Sequence, residues 1–298
     1  MSQDKPLLGV TLMLGFCVTI PIADAIAKLL GGTVPLVELV MARFAAQALL
    51  LLPLIWATGR RLHVPRRHLG LIVLRAVLQI FGIGGMFVAL MFLPLADAIA
   101  IAFVMPFFML FLGKYVLGEE IGARRIIASI VGFVGTLLVI QPSFVDVGWP
   151  ALIPLFVAVV FSVFMLITRR IAKDVDAFAL QSISGFIAVA ILLVAAAFGS
   201  ARDLQPFSLI LPDGYTLVLL IICGAAGTAA HLMMTLSLRF APSATLAPMQ
   251  YLEIPFATFV GWLVFHDLPD GLAALGILVT IGAGLYVIWR ERRSGQAA

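Results

Sequence analysis

Apolar residues run along the chain in ten long blocks, at 7–27, 36–56, 69–92, 95–116, 124–141, 149–168, 178–198, 215–238, 243–265 and 271–289. Each is close to the roughly 20 residues that an α-helix needs to cross a bilayer core. The connectors are short, and turn formers mark most of them: Gly31-Gly32, Pro65, Pro94, Pro142, Pro150, Pro212, Pro242 and Pro269. The blocks therefore predict an all-α bundle of ten transmembrane helices joined by tight hairpins. The first block follows MSQDKP directly and is interrupted by Asp24 and Lys28 without a small-residue cleavage pattern, so we expect it to stay in the mature protein as the first span.

The polar residues give the bundle an orientation. Arg60, Arg61, Arg66 and Arg67 follow span two, Lys114, Arg124 and Arg125 lie between spans four and five, and Arg169, Arg170 and Lys173 follow span six. Arg239 follows span eight, and Arg290, Arg292 and Arg293 close the chain; the opposite connectors hold only Arg202, with Lys28 at a span end. By the positive-inside rule both termini lie in the cytoplasm of a multi-pass protein of a bacterial inner membrane.

The two halves are also alike. At an offset of 148 residues Ala89-Leu90 and Pro94 return as Ser237-Leu238 and Pro242, Glu119 as Asp267, and Val139-Ile140 as Val287-Ile288. Pro106 falls one residue from Pro255, and Ala128, Gly132 and Thr136 match Gly276, Thr280 and Gly284, small residues that let helices approach closely in lipid. Five spans per copy is an odd number, so the copies cross the membrane in opposite directions. The expected units are a first repeat at 1–141, a second at 149–290 and a cytoplasmic tail at 291–298. Two inverted five-helix repeats place a site for a small-molecule substrate between the halves, near the midplane, and suit alternating access.

Composition agrees with this setting. The chain is 63% hydrophobic and 11% charged, against about 25% charged for soluble domains. Its net charge of +4 is explained by the basic connectors, which removes nucleic acid as a partner and leaves the lipid bilayer. Cys17 and Cys223 lie in apolar blocks and read as small buried residues. No P-loop, metal-spaced Cys/His cluster, Gly-x-Ser-x-Gly or paired acidic motif for diphosphate chemistry occurs, so no cofactor, metal or ATP-driven step is expected. A membrane-embedded enzyme and an ion channel are the alternatives of a different class. A homodimer is compatible with the sequence and not demanded by it.

The chain resembles the EamA-type transporters of the drug/metabolite transporter superfamily. The resemblance rests on Ala89-Leu90-x3-Pro94-Leu95-Ala96-x-Ala98-x-Ala100 running to Pro106 and Leu117-Gly118-Glu119-Glu120, and on a second copy from Ser243 through Pro255 to Phe265-His266-Asp267. That copy has His266-Asp267 where the family pattern has Gly-Glu. The resemblance implies ten helices in two repeats and transport of a small metabolite. Leu93-Pro94-Leu95-Ala96-Asp97 is similar to proteobacterial members that include riboflavin importers. Import of riboflavin or a similar vitamin-like solute is thus the first expectation, and export of amino acids, other metabolites or drugs the second.

Ionisable groups at bilayer depth are costly and therefore mark candidate sites. Glu253 stands in Pro248-Met249-Gln250-Tyr251-Leu252-Glu253-Ile254-Pro255, where two prolines should kink or unwind the helix and bring Gln250, Tyr251, Glu253 and freed carbonyls together. Glu253 could bind substrate, take up a proton, or serve as a paired structural carboxylate. Arg43, with Glu38 five residues before it, could hold an anionic group or pair with an acid across the bundle. Arg75 is expected to snorkel to the cytoplasmic surface, with a gate or ion pair as the alternative. Asp24 and Lys28 are four apart and could pair on one helix face or form an outer gate, while Asp97 could stabilise a helix start. His231 could act as packing or as a relay. Gln47, Gln79, Gln181 and Gln250 could line a cavity or join helices. Phe81, Phe87, Phe103, Phe107 and Phe108 could stack on a planar ligand or meet lipid. Pro106, Pro248 and Pro255 are the expected helix breaks.

Overall fold

The computed structural model describes residues 5–295, save 61, 119–121, 201, 203 and 270. Glu119, Glu120 and Arg61 lie outside the described residues, as do the side chains of Arg124, Arg125, Pro248, Arg290, Arg292 and Arg293. The described residues form helices without strands: α1 (Pro6–Leu30), α2 (Leu36–Ala57), α3 (Leu69–Leu90), α4 (Leu95–Ala102), α5 (Met105–Leu117), α6 (Ala123–Val147), α7 (Ile153–Ile171), α8 (Ala177–Ser200), α9 (Gly214–Phe240), α10 (Ser243–Leu246), α11 (Glu253–Phe265) and α12 (Gly271–Gly295). Helices close every backbone hydrogen bond within themselves, which a hydrocarbon solvent demands. Seven helical stretches are long and apolar enough to cross a membrane, with mean hydropathy between 1.8 and 2.7, and three shorter apolar helices lie at 126–138, 249–265 and 271–283.

Two of the ten expected spans are broken. The fourth divides into α4 and α5 at Phe103-Val104, just before Pro106. The ninth divides more widely: α10 is one turn, Ala247–Leu252 is a 3-10 stretch, and α11 begins at Glu253. A proline lacks the N–H that an α-helix needs four residues on, so Pro248 and Pro255 leave this segment short of α-helical bonds. The unwinding expected around them is present.

Helix boundaries recur at the spacing of 148 residues seen in the sequence. α4 and α10 start at Leu95 and Ser243, α5 and α11 run over Met105–Leu117 and Glu253–Phe265, and α6 and α12 over Ala123–Val147 and Gly271–Gly295. Contacts between the halves also occur in matched pairs. α1 packs along α9 as α7 packs along α3, α5 lies on α7 as α11 lies on α1, and α2 faces α8 while α6 faces α12. The connectors after α2 and α7 meet, Arg60 pairing with Asp176 and Arg67 with Asp174. The Lys5 amide donates to the Phe240 carbonyl at 2.8 Å, joining the start of α1 to the end of α9.

Candidate substrate cavity

A cavity lies where α1, α2, α3, α7 and α9 surround the broken spans. Four ionisable side chains reach it, each almost fully buried: Asp24 from α1, Arg43 from α2, His231 from α9 and Glu253 from the first residue of α11. Its apolar wall includes Phe16, Ile20, Ile83, Met86, Phe103, Met105 and Phe161. Phe16, Ile20 and Asp24 are spaced by four and so share one face of α1.

The site holds side chains of both signs. The Arg43 guanidinium donates from Nη1 to the Cys223 carbonyl at 3.3 Å and lies 3.2 Å through Nη2 from His231 Nδ1. That ring nitrogen is also 3.1 Å from the Gly227 carbonyl, and the imidazole is surrounded by the rings of Phe16, Phe161 and Phe164. Arg43 Nε and His231 Nε2 are buried with no partner. Asp24 is within electrostatic reach of both Arg43 and Glu253, and neither acid forms a hydrogen bond or ion pair among the described residues. Ile83 and Met105 line the cavity at positions that correspond, by the 148-residue spacing, to His231 and Glu253. The frame therefore repeats, while the polar chemistry at these two places belongs to the second half.

Other candidates from the sequence are placed elsewhere. Tyr251 is fully buried against α6, its ring on Gly132 and its hydroxyl donating to the Ser129 carbonyl at 3.2 Å. Gln250 turns its amide nitrogen to the sulfurs of Met165 and Met109, at 3.3 and 3.7 Å. Both leave the cavity because a 3-10 stretch advances about 120° per residue, where an α-helix advances about 100°. Gln79 donates to Gln47 Oε1 at 3.3 Å and joins a glutamine chain that continues to Gln181. This chain joins helices and does not line the cavity.

Arg75 does not snorkel. It is fully buried and donates to Thr168 Oγ1 at 2.9 Å, Ser184 Oγ at 2.7 Å, Gln181 Oε1 at 2.8 Å and Thr235 Oγ1 at 3.4 Å. Its guanidinium lies 4.6 Å from the Phe164 ring centroid. Enough neutral oxygens converge on this one side chain to replace water, so it turns inward and ties α3 to α7, α8 and α9. Lys28 does not pair with Asp24. Its ammonium reaches the Leu93 carbonyl at 2.6 Å, lies over the Phe265 ring, and is within electrostatic reach of Asp267 and Asp97. Glu38 accepts from the Ile210 amide at 2.7 Å and so pins the connector between α8 and α9 to α2, which leaves Arg43 to α9. Pro106 is buried at the start of α5, and Pro255 lies in the first turn of α11.

Sequence reasoning found Glu253, Arg43 and His231 and did not bring Asp24 into the cavity. The signal for it was the spacing of Phe16, Ile20 and Asp24 on one face. Phe103 does line the cavity, while Phe107 stacks on Phe133 at 5.8 Å instead.

Residues 7–141 match the EamA-like transporter family. A riboflavin transporter of Rhizobium johnstonii is 29% identical over 233 residues, covering 78% of this chain and 73% of that protein. An S-adenosylmethionine uptake transporter of Rickettsia prowazekii is 25% identical over 286 residues, 96% of this chain and 94% of that one. A riboflavin transporter of Vibrio cholerae is 24% identical over 98% of this chain and 97% of its own. One solved crystal structure superposes with a TM-score of 0.71 over 97% of both chains at 19% identity, which shows a shared fold. The resemblance drawn from the sequence is thereby shown: this multi-pass membrane chain carries an EamA-like transporter domain over its first half and is similar, over nearly its whole length, to bacterial transporters of small metabolites.

Proposed function

We propose that the chain is a secondary carrier that moves a small metabolite across a bacterial inner membrane by alternating access. Its two inverted five-helix repeats, 1–141 and 149–290, rock against each other around the cavity, with both termini and the tail at 291–298 in the cytoplasm. The observation that carries this reading is a cavity bounded by both halves and holding Asp24, Arg43, His231 and Glu253. The recurring helix boundaries and the matched contacts between halves support the repeats, and the basic end of the bundle supports the orientation. Rocking needs a seam on each side of the cargo. Lys28 on the Leu93 carbonyl and Glu38 on the Ile210 amide close one end, and the Arg75 cluster with the Arg60–Asp176 pair closes the other.

Riboflavin, or a similar vitamin-like solute, carried inward is the first cargo to test. It is supported by the named relatives and by the aromatic wall of Phe16, Phe103 and Phe161. S-adenosylmethionine is the second, favoured by two cavity carboxylates without a hydrogen-bond or ion-pair partner among the described residues and by relatives matched over most of both chains. Glu253 is the group whose charge must change or be matched as the cargo moves. The test is uptake of labelled riboflavin and S-adenosylmethionine by proteoliposomes of the purified chain, beside Glu253→Gln. The variant should insert and fold but lose coupled transport. Wild-type rates in the variant would remove Glu253 from the mechanism, and chemical conversion of the solute without flux would favour an enzyme.

A further inference from the structure

We infer that the cavity is a seat for a metabolite of net positive charge, with an ammonium or sulfonium centre between Asp24 and Glu253 and an acceptor group turned towards Arg43 and His231. This rests on the carrier reading and narrows its cargo to one charge class, which sets S-adenosylmethionine ahead of riboflavin. Asp24 and Glu253 are 6% and 7% exposed and both border the cavity. Neither has a hydrogen-bond or ion-pair partner among the described residues. The nearest permanent cation, Arg43, is within electrostatic reach of Asp24 but directs its hydrogen bonds to the Cys223 carbonyl and His231. His231 Nδ1 can accept from Arg43 or donate to the Gly227 carbonyl but not both, and with the guanidinium 3.2 Å away the imidazole is counted as neutral. Two carboxylates then stand against one guanidinium, and a ligand of net charge +1 makes the site neutral.

The physical argument is one of compensation. An ionised carboxylate kept from water and left unpaired costs several kcal/mol, and ionising both acids would leave this site with two. A cation placed between them offsets that cost, and the faces of Phe16, Phe103 and Phe161 favour an onium group over a neutral one of the same shape. Beside the acids, Arg43 Nε and His231 Nε2 are buried polar atoms with no hydrogen-bond partner among the described residues. A carboxylate or carbonyl on the cargo would complete them. The arrangement asks for a cationic group and an acceptor on one ligand. Simple protonation of the two acids is the competing way to neutralise the site, and it predicts no preference for an onium ligand.

The test uses the purified full chain with three defined probes. S-adenosylmethionine is a net cation, S-adenosylhomocysteine has the same skeleton with a neutral thioether, and tetramethylammonium is a minimal onium. Binding is read as a ligand-induced shift in melting temperature and by competition, and flux is read in proteoliposomes with riboflavin as the neutral control. The expected result is binding of S-adenosylmethionine at least about tenfold tighter than of S-adenosylhomocysteine, competition by tetramethylammonium, and loss of that preference in both Asp24→Asn and Glu253→Gln. Equal binding of the two adenosyl compounds, or binding and carriage of riboflavin alone, overturns the cationic seat and leaves the carrier standing. Onium binding without flux of any probe overturns the carrier and leaves the seat. If either variant does not fold, the comparison of the two adenosyl compounds on the wild-type chain still decides the matter.

Discussion

Gly118 and His266 occupy the same place in the two halves, 148 residues apart, and both end a helix in the left-handed conformation, at φ 66° and 58°. His266 is the non-glycine residue with positive φ among the described residues. A side chain there crowds the following carbonyl by about 1–2 kcal/mol relative to glycine. His266→Gly should therefore stabilise the fold by about 1 kcal/mol, and Gly118→Ala should destabilise it by a similar amount. Thermal unfolding of both variants in detergent measures this, and a lower melting temperature for His266→Gly would show that the imidazole holds a compensating contact.

Gly227 makes room for the Arg43 guanidinium. A Cβ at this position would stand 1.5 Å from Arg43 Nη1. In Gly227→Ala the guanidinium must swing away, losing its contacts with the Cys223 carbonyl and His231, while the helix itself accepts alanine readily. Transport should fall at least about tenfold through a weaker apparent affinity for the cargo, with a lower melting temperature because the buried guanidinium loses its partners. An unchanged KM would mean that the cargo does not read the position of Arg43.

Arg75 gathers hydroxyl and amide oxygens from three helices of the second half. Arg75→Ala leaves those oxygens without a donor and opens a cavity beside Phe164, so a loss of about 3 kcal/mol is expected. Arg75→Lys supplies three donors without the planar fork and should recover only part of it. Melting temperatures at fixed detergent and pH give the comparison. A fully stable Arg75→Ala would make the cluster incidental to the fold.

The long-range plan was legible because hydropathy reports where a residue lies along the membrane normal. The ten blocks, the basic end and the 148-residue spacing all follow from that coordinate. The direction in which a side chain faces is a second coordinate that hydropathy does not carry. Arg75 sits at the depth expected of a snorkelling residue and nevertheless turns inward, because Thr168, Ser184 and Gln181 come from helices far away in sequence. Tyr251 and Gln250 share the proline-flanked segment with Glu253, but the 3-10 geometry of Ala247–Leu252 rotates them onto α6 and the Met109–Met165 sulfurs. Asp24 was visible as an intramembrane acid, while its role depended on whether Lys28 had another partner. The Leu93 carbonyl is that partner.

Asp213 caps α9 from outside the membrane-spanning part, its carboxylate accepting from the Thr216 amide at 2.8 Å. Its bonds with Thr216, through side chain and backbone, hold the carboxyl below the usual carboxylate value of 3.8. A depressed folded-state value means that the cap contributes fully above the unfolded-state value, and that the contribution is lost as pH falls through the folded one. The melting temperatures of wild type and Asp213→Ala should thus differ most near neutral pH and converge below pH about 3.8. Asp213→Asn, which accepts without a charge, should show no such convergence. A difference that stays constant down to acid pH would rule out the ionised cap.

The six residues of Ala247–Leu252 that precede Glu253 are wound more tightly and stretched further than an α-helix. A 3-10 turn rises about 2.0 Å and turns about 120° per residue, against about 1.5 Å and 100° in an α-helix. Rewinding that segment would shorten the ninth span by about 3 Å and rotate everything beyond it by about 120°. The Glu253 carboxylate would then turn away from the cavity wall. In the proposed carrier such a change of pitch would be a local step beside the rocking of the halves, linking the grip on the cargo to how tightly one short segment is wound.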